Sequence, residues 1–394
     1  MIKTTILETS GSMSLGMSKE RYAYVVPVPM GMESITKGEL KALGYNDLRL
    51  ENGRIYFEGD VRVIPRVNLW LRTADRLLIA VGSFPAPSFE ALFEGMKALP
   101  WERWLSNDAR FPVLGRTHAS QLKSVPDIQS IAKKAIVERL KTVYHVSWFA
   151  EDGPLYTIEV SLIKDQAYVT IDTTGVSLHK RGYRTLVSPA PLKETLAAAF
   201  IYLSRWKTDE PLIDPLCGSG TIPIEAALFG RQIAPGLRRS FAAQDWPQVP
   251  QRLWDLARKE AKDLAQRDKK LEIWGSDIDD NVLSMARYHA RMAGVSETIR
   301  FRTIDVQKLT LPDDFGTLIT NPPYGERMGK EDDVRALYET LGRLYQAHPG
   351  WSMLVYTAYP AFESVFGKKA DKNRKLYNGR LLAYVYQYAR SMRG

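Results

Sequence analysis

The strongest constraint on this chain is the segment at residues 319–326, Ile-Thr-Asn-Pro-Pro-Tyr-Gly-Glu, which follows a short apolar run beginning at Phe315. An apolar run of this length predicts a buried strand. Neither Pro322 nor Pro323 has an N–H to donate, so the hydrogen bonding of the sheet must stop at this turn. The turn is therefore expected at the carboxyl end of a strand, which is where open α/β sheets bind their ligands.

The same turn carries groups suited to methyl transfer onto an exocyclic amine of a base. Such an amine is a poor nucleophile because its lone pair is delocalised into the ring. The Asn321 side-chain oxygen and the Pro322 carbonyl can each accept one amine hydrogen, which favours a pyramidal nitrogen with a free lone pair. Pro322 and Pro323 hold these acceptors in a fixed relation, and Tyr324 offers a stacking face worth roughly 1–3 kcal/mol. These four residues are the predicted catalytic group; the alternative is an ordinary proline turn.

A second ligand-binding segment lies at residues 212–220, Leu-Ile-Asp-Pro-Leu-Cys-Gly-Ser-Gly. It predicts a strand, a glycine turn, and a helix from Thr221 whose N-terminus favours an anionic group such as a carboxylate. Gly218 and Gly220 let the backbone approach a ligand closely, while the Asp214 carboxylate suits a cationic amine. An amine with a carboxylate describes the methionine end of S-adenosylmethionine. The third glycine of a dinucleotide fingerprint is missing.

Two further acids follow predicted strands. Residues 272–275 form a strand that leads to Asp277, where an acid can hold both hydroxyls of a ribose. Asp305 directly follows the strand at residues 300–304, and its carboxylate can accept a hydrogen bond from the adenine amino group of a cofactor. The alternative is that Asp305 is a helix N-cap. The predicted cofactor-binding residues are Asp214, Pro215, Gly218, Gly220, Thr221, Asp277, Ile278 and Asp305.

The charge balance favours a polyanionic partner. The formal net charge is +9 with a pI of about 9.3, and nucleic acid is the commonest partner of such a chain; the alternative is a basic surface without a ligand. Residues 116–141 hold six Lys and Arg against two acids, and residues 179–184 read His-Lys-Arg-Gly-Tyr-Arg. Each segment either follows a phosphate backbone or is merely solvated. The predicted RNA-binding residues are Lys133, Lys134, Lys141, Lys180, Arg181 and Arg184.

The remaining organisation is that of a chain of two or three domains. Strand–helix alternation over residues 22–71 predicts a small α+β unit, and a second unit begins at about residue 75. The hairpin expected across Lys164-Asp165 buries one face, and Asn378-Gly379 predicts a terminal hairpin. Residues 231–270 form an insertion between the glycine turn and Asp277, which is either an RNA-facing feature or a structural cover.

Composition also excludes several classes of protein. Cys217 is the single cysteine, so no disulfide forms within the chain, and a reducing, cytoplasmic location is expected. No run of about 20 apolar residues is present, so neither a transmembrane helix nor a membrane partner is expected. Because cytosine-C5 methylation needs a cysteine nucleophile, and Cys217 lies in the glycine turn as a small packing residue, that reaction is disfavoured. No metal is expected.

Together, three motifs resemble the THUMP-domain RNA methyltransferases, and are most similar to the bacterial large-subunit ribosomal RNA N2-guanine methyltransferases. The motifs are Asp-Pro-Leu-Cys-Gly-Ser-Gly-Thr at 214–221, Gly-Ser-Asp-Ile-Asp at 275–279 and Asn-Pro-Pro-Tyr-Gly-Glu-Arg at 321–327. Residues 179–184, 190–194 (Ala-Pro-Leu-Lys-Glu) and 375–379 (Lys-Leu-Tyr-Asn-Gly) also resemble family signatures. The resemblance covers nearly the whole chain from about residue 21.

The resemblance implies an α/β protein with three domains after a flexible tail at 1–20. These are a ferredoxin-like N-terminal α+β domain at 21–74, a THUMP RNA-binding domain at 75–178 and a class I, Rossmann-like methyltransferase domain at 179–394. S-adenosylmethionine is the implied methyl donor, guanine N2 the acceptor and large-subunit ribosomal RNA the expected substrate.

Several alternatives remain open. Relatives with similar motifs modify guanines of transfer RNA, so the RNA class is open. The Asn-Pro-Pro-Tyr turn can also orient the N6 amine of adenine, so the base is open as well. A non-catalytic RNA-binding assembly factor with a vestigial cofactor site is a further alternative, disfavoured by the intact motifs. The missing third glycine and the Asn-Pro-Pro-Tyr turn disfavour a nicotinamide oxidoreductase.

Overall fold

The structure, a computed structural model, describes residues 20–51, 53–186, 192–312, 314–323, 331–378 and 381–391. Within these residues the chain forms two sheets, one on each side of a linker at about residues 173–193. Helices cover the apolar faces of both sheets, which is the layered arrangement of α/β and α+β folds.

The N-terminal sheet has the strand order β2-β3-β1-β4-β7-β6-β5. Its strands are β1 Tyr22–Pro27, β2 Arg49–Glu51, β3 Arg54–Gly59, β4 Leu78–Pro85, β5 Val113–His118, β6 Thr157–Ile163 and β7 Gln166–Asp172. Its helices are α1 Glu33–Ala42, α2 Val63–Trp70, α3 Phe89–Ala98 and α4 Val125–Tyr144.

Strand β4 joins the two predicted N-terminal units, because it pairs antiparallel with both β1 and β7. The hairpin predicted across Lys164 and Asp165 is confirmed: these residues have φ of 51° and 61°, and β6 and β7 pair on either side of them. A two-residue turn with both φ positive matches the twist of the strands it joins. Val169 and Ile171 of β7 are fully buried, as their alternation predicts.

The C-terminal sheet has the strand order β10-β9-β8-β11-β12-β14-β13. Its strands are β8 Leu212–Asp214, β9 Ile273–Asp277, β10 Ile299–Thr303, β11 Gly316–Thr320, β12 Trp351–Thr357, β13 Lys372–Asn378 and β14 Leu381–Tyr388. Its helices are α5 Glu194–Ser204, α6 Thr221–Gly230, α7 Gln251–Asp263, α8 Asp280–Ala293, α9 Glu331–Ala347 and α10 Phe362–Phe366.

This second sheet is parallel from β10 to β12, and only β14 runs in the opposite direction. The edge strand β13 pairs antiparallel with β14 and therefore has the same direction as β12. The expected parallel sheet with a terminal hairpin is thereby confirmed, although Gly379 of the predicted turn lies outside the described residues. The strand order reverses direction between β8 and β11. Open α/β sheets bind ligands at such a switch point, outside the carboxyl ends of the strands.

The insertion at residues 231–270 serves in part as a structural cover. Its helix α7 buries Leu253, Trp254 and Ala257, and the Trp254 ring stacks on Phe241 with centroids 5.2 Å apart. No helix in the described ranges has the length and apolarity that crossing a membrane requires.

The linker residue Arg181 is buried, so its predicted contact with RNA is wrong. Its side chain is 2% exposed, and Nη2 lies 3.4 Å from the Glu225 carboxylate of α6. The guanidinium also donates to the carbonyls of Leu178 and Arg72, at 2.9 and 2.5 Å. Arg181 therefore joins the linker and the N-terminal half to the second sheet, whereas its neighbour Lys180 is exposed.

Two of the three predicted RNA-binding lysines on α4 have partners within the protein. Lys133 lies 2.7 Å from the Glu151 carboxylate and 3.4 Å above the centre of the Phe111 ring, and its burial lowers the pKa of its ammonium group. Lys133 is thus held by partners of its own domain while part of its side chain stays exposed, and its contact with RNA stays a prediction. Lys141 is paired with Glu138 at 3.1 Å but is half-exposed. Lys134 is exposed and remains a predicted contact.

Replacing Arg181 by Met should lower the free energy of unfolding by about 3–5 kcal/mol, because the Glu225 carboxylate would stay buried without its counter-charge. The control is Lys180→Met, an exposed position beside it, where the change should stay within about 0.5 kcal/mol. Chemical denaturation of both variants measures the difference. A loss below about 1 kcal/mol for Arg181→Met would contradict the assigned role of the pair.

Candidate active site

A cavity of about 660 Å³ opens at the carboxyl ends of β8, β9 and β11. This volume lies within the range of small-molecule sites. Residues from every predicted ligand-binding segment meet in its wall: Asp214, Gly218, Thr221, Asp277, Asp305 and Asn321. The switch point thus brings together motifs that lie about 100 residues apart in the chain.

Asp214, the last residue of β8, supplies a buried carboxyl group to the cavity. It is 1% exposed, and its Oδ1 accepts a hydrogen bond from the Leu216 amide at 3.2 Å. Burial, with a smaller contribution from the nearby Asp277 charge, raises the pKa of this carboxyl to about 8. A cation placed in the cavity would stabilise the ionised form, as expected for the site of an amine.

The two glycines of the turn have different structural roles. Gly218 has φ of +52°, and a Cβ there would meet no atom within 4 Å, so its backbone faces open space in the cavity. A Cβ at Gly220, whose φ is +83°, would lie 2.9 Å from the Cβ of Ala286. Gly220 therefore lets the turn pack against α8, and its approach to a ligand stays a prediction.

Asp277 and Asp305 stand at the ends of neighbouring strands and both line the cavity. The Asp277 carboxylate accepts from the Gly218 amide at 3.0 Å, which fixes it beside the glycine turn. Asp305 Oδ1 accepts from the Gln307 amide at 2.9 Å at the start of a short helical turn. The N-cap alternative for Asp305 is thus realised, and its contact with adenine stays a prediction. Ile278 is 70% exposed at the mouth of the cavity.

Asn321 directly follows β11, and its Oδ1 atom is buried without a hydrogen-bond partner among the described residues. An unpaired buried acceptor costs about 1–3 kcal/mol, and this one belongs to a residue of the cavity wall, where a donor group of a ligand would satisfy it. Pro323 also lines the cavity, while Pro322 is buried beside it. Tyr324 lies outside the described residues, and its stacking role stays a prediction.

The thiol of Cys217 is also in the cavity wall, but it is not a nucleophile. Its side chain is buried, and burial raises the pKa of the thiol well above its ordinary value. Since the thiolate is the reactive form, Cys217 serves as a small packing residue, as the sequence predicts.

Arg184 was expected to face RNA and instead holds the start of α6, so that prediction is wrong. Its side chain is 12% exposed and lies 3.5 Å from the Glu194 carboxylate. The guanidinium donates to the Leu192 carbonyl at 3.1 Å and to the hydroxyl of Thr221. Leu192 and Thr221 both line the cavity, so Arg184 connects the linker to its wall.

Two parts of the site escape prediction from the sequence. His289 of α8 is fully buried, and its Nδ1 lies 3.3 Å from the Ser219 carbonyl, where the Nδ1–H tautomer supports the glycine turn. The apolar wall comes from Leu192, Val282, Ile304 and Leu337. Of these, Ile304 has a sequence signal as the residue before Asp305. Pro215 does not line the cavity; its carbonyl accepts from the Ser276 hydroxyl at 3.3 Å.

Three family models match the chain: the RlmL ferredoxin-like domain at residues 23–78, the THUMP domain at 86–172 and the RMKL-like methyltransferase domain at 181–386. The Bacillus subtilis (strain 168) protein named "Putative RNA methyltransferase YpsC" is 44% identical over 371 residues, which cover 94% of this chain and 96% of that protein.

Solved structures are similar over the same length. A Listeria monocytogenes protein described as "a predicted N6-adenine-specific DNA methylase" is 48% identical with a TM-score of 0.90, covering 94% of this chain and 96% of that one. SMU.472, complexed with SAH (S-adenosylhomocysteine), is 44% identical with a TM-score of 0.91, covering 96% and 100%. The expected cofactor is thus confirmed as S-adenosylmethionine, and the chain belongs to the THUMP-domain class I RNA methyltransferases.

Proposed function

We propose that this protein transfers a methyl group from S-adenosylmethionine to the exocyclic N2 of a guanine in large-subunit ribosomal RNA. The observation that carries the proposal is the unpaired, buried Oδ1 of Asn321 in the wall of the donor cavity. A base amine that enters the cavity supplies the missing donor. The choice of guanine and ribosomal RNA is supported by the resemblance of the three motifs to the N2-guanine enzymes.

The donor binds through residues that suit its functional groups. Asp214 would hold its cationic amine, Asp277 its ribose hydroxyls and Asp305 its adenine amine, while the Gly218 backbone leaves room for close approach. The bound donor supplies an electrophilic methyl group on a sulfonium.

The chemical step depends on orientation rather than on a strong base. The RNA is held by the THUMP half, and the target guanine is splayed out of its stack, at a cost of a few kcal/mol. Asn321 Oδ1 and the Pro322 carbonyl accept the two hydrogens of N2, which directs its lone pair toward the methyl carbon. The N–C bond forms as the C–S bond breaks, and the resulting cation loses a proton to water. Tyr324 provides the stacking face.

Adenine N6 is the second candidate acceptor, because the same two acceptors serve that amine. The description of the Listeria monocytogenes relative as an N6-adenine DNA methylase favours keeping it. A non-catalytic assembly factor is disfavoured, since such a protein has no use for a buried carboxyl group at Asp214 and an unpaired acceptor at Asn321 in the wall of one cavity.

The identity of the product tests the proposal directly. The protein is incubated with labelled S-adenosylmethionine and unmodified large-subunit ribosomal RNA, or separately with transfer RNA, and the digested nucleosides are identified by mass spectrometry. N2-methylguanosine in ribosomal RNA is the expected result. N2-methylguanosine only in transfer RNA would overturn the RNA class, and N6-methyladenosine would overturn the base. No label in either pool, despite donor binding, would support the non-catalytic alternative.

Replacing Asn321 by Ala should lower kcat by about 10²–10³, the range seen when a single preorganised polar contact to the reacting group is removed. The affinity for S-adenosylhomocysteine should change by less than about threefold, because Asn321 contacts the acceptor and not the donor. Asn373→Ala, at an exposed position on the edge strand β13, is the control. A variant at residue 321 with more than half of the original kcat would refute the role.

Donor binding should strengthen with pH because of Asp214. The pKa of its carboxyl in the unliganded protein is about 8, so below pH 8 the group is mostly protonated and must lose its proton to pair with the amine. Affinity for S-adenosylhomocysteine should therefore rise between pH 6 and 7.5, by up to about tenfold per unit. Calorimetry in two buffers of different ionisation enthalpy measures both the affinity and the released proton.

Asp214→Asn, which imitates the protonated carboxyl, should bind more weakly and remove this pH dependence. An affinity of the original protein that stays constant from pH 6 to 7.5 would show that Asp214 does not pair with the amine.

A further inference from the structure

A second cavity, of about 160 Å³, lies at the other ends of α6 and α8. Three exposed cations line it, Arg238, Lys262 and Arg267, together with the buried linker residues Arg181 and Tyr183. No acidic side chain contributes to its described wall. Along α8 the donor cavity is lined by Val282 and this cavity by Ala293, so the two are separated by about 16 Å of helix. We call the three exposed cations the basic cleft.

The cations of the basic cleft are unpaired, unlike others of the same insertion. Residues 231–270 hold ten Lys and Arg against five Asp and Glu. Arg258 donates to the carbonyls of Leu237 and Arg239, both at 3.0 Å. Arg239 donates to the carbonyls of Ser177 and Lys180 at 2.6 and 3.0 Å. In the described part of the chain, the side chains of Arg238, Lys262 and Arg267 form no hydrogen bond and no ion pair. Positive charges that converge in a concave surface raise the local electrostatic potential, which attracts an anion.

The backbone around the basic cleft is held in place by the linker. Gly182 has φ of +94°, and a Cβ there would lie 3.0 Å from the carbonyl oxygen of Arg238. The adjacent Arg239 is anchored on linker carbonyls, as above. The Arg238 guanidinium itself lies over Gly294, where a Cβ would come within 2.3 Å of Nη2. The fold thus presents Arg238 at a fixed place beside the joint between the two halves.

We propose that the basic cleft binds the phosphate backbone of the RNA substrate, at a site separate from both the THUMP domain and the donor cavity. Guanidinium and ammonium groups match phosphate oxygens in charge and in hydrogen-bonding geometry. RNA is the favoured polyanion because the family acts on RNA and because the cleft borders the linker between the RNA-binding half and the catalytic half. The proposal rests on RNA as the substrate, and not on the methylated base.

The test compares two triple variants of the full-length protein. The first is Arg238→Gln, Lys262→Gln and Arg267→Gln. The control is Arg205→Gln, Arg252→Gln and Lys369→Gln, which removes the same charge from exposed positions outside the cleft. Filter binding to a transcript of large-subunit ribosomal RNA is measured from 50 to 300 mM KCl. Melting temperature and affinity for S-adenosylhomocysteine should be unchanged in both variants, since every substituted side chain is exposed.

The cleft variant should bind RNA about tenfold more weakly at 100 mM KCl, and its slope of log Kd against log salt should fall by about 1–2, as for the loss of one or two phosphate contacts. The control should stay within about twofold. Equal losses in the two variants would overturn the proposal, because general charge would explain them. It would also be overturned if neither variant weakened, or if the original protein did not bind the transcript at 50 mM KCl.

Arg238→Glu, a single reversal, provides an independent measurement that does not depend on the stability of the triple variant; it should weaken RNA binding by at least about fivefold. These assays include no methyl transfer. If the labelled product is N6-methyladenosine, guanine N2 is refuted as the acceptor, and the proposal for the basic cleft is unaffected. If the product is N2-methylguanosine but the cleft variant binds RNA as tightly as the original protein, only the proposal for the basic cleft is refuted.

Discussion

The parallel pairing of β8 with β11 is the interaction on which the site depends. Leu318 of β11 lies opposite Ile213 of β8, so Asp214 and Asn321 emerge within a few residues of each other at one edge of the sheet. Both strands are buried along their whole length, as is usual for parallel strands covered on both faces. A shift of register by one residue would reverse the face of every side chain in β11. Core packing of these two strands therefore sets the geometry of donor against acceptor.

The site itself is costly for the folded protein. A carboxyl group with a pKa near 8 and an amide oxygen without a partner both lie in the wall of one cavity. Each destabilises the unliganded chain, and under the proposed function each gains a partner that the reaction brings in: a cationic amine at Asp214, and a base amine at Asn321. Proteins leave buried polar groups incompletely paired mainly at functional sites, where a ligand completes the pairing. The pairing of the surrounding strands and the support of His289 under the glycine turn hold this arrangement in place.

Features set by neighbouring residues could be predicted from the sequence. The strand–turn–helix at residues 212–230, the hairpin at Lys164-Asp165 and the acids at strand ends follow from local backbone geometry and from the period of the strands. Features set by distant partners could not. In the sequence, Lys133 is indistinguishable from a surface lysine, because its partners Glu151 and Phe111 come close only in the fold. Arg181 can be buried because the Glu225 carboxylate, 44 positions away in the sequence, lies beside it in space. The sequence alone does not distinguish the roles of Gly218 and Gly220. They differ because Ala286 of α8 lies against Gly220 and not against Gly218.

The linker shows how one basic motif can perform several tasks. Within six residues, Lys180 stays exposed, Arg181 joins the two halves through a buried pair, Gly182 makes room for the Arg238 carbonyl and Arg184 reaches the first residue of α6. Because the same short segment contacts the N-terminal half, the first residue of α6 and the insertion, it holds the RNA-binding half in position relative to the donor cavity. A phosphate held at the basic cleft would therefore lie at a defined distance from the methyl group. Sequence-independent contacts can in this way select which nucleotide reaches Asn321, since phosphate contacts set register and orientation.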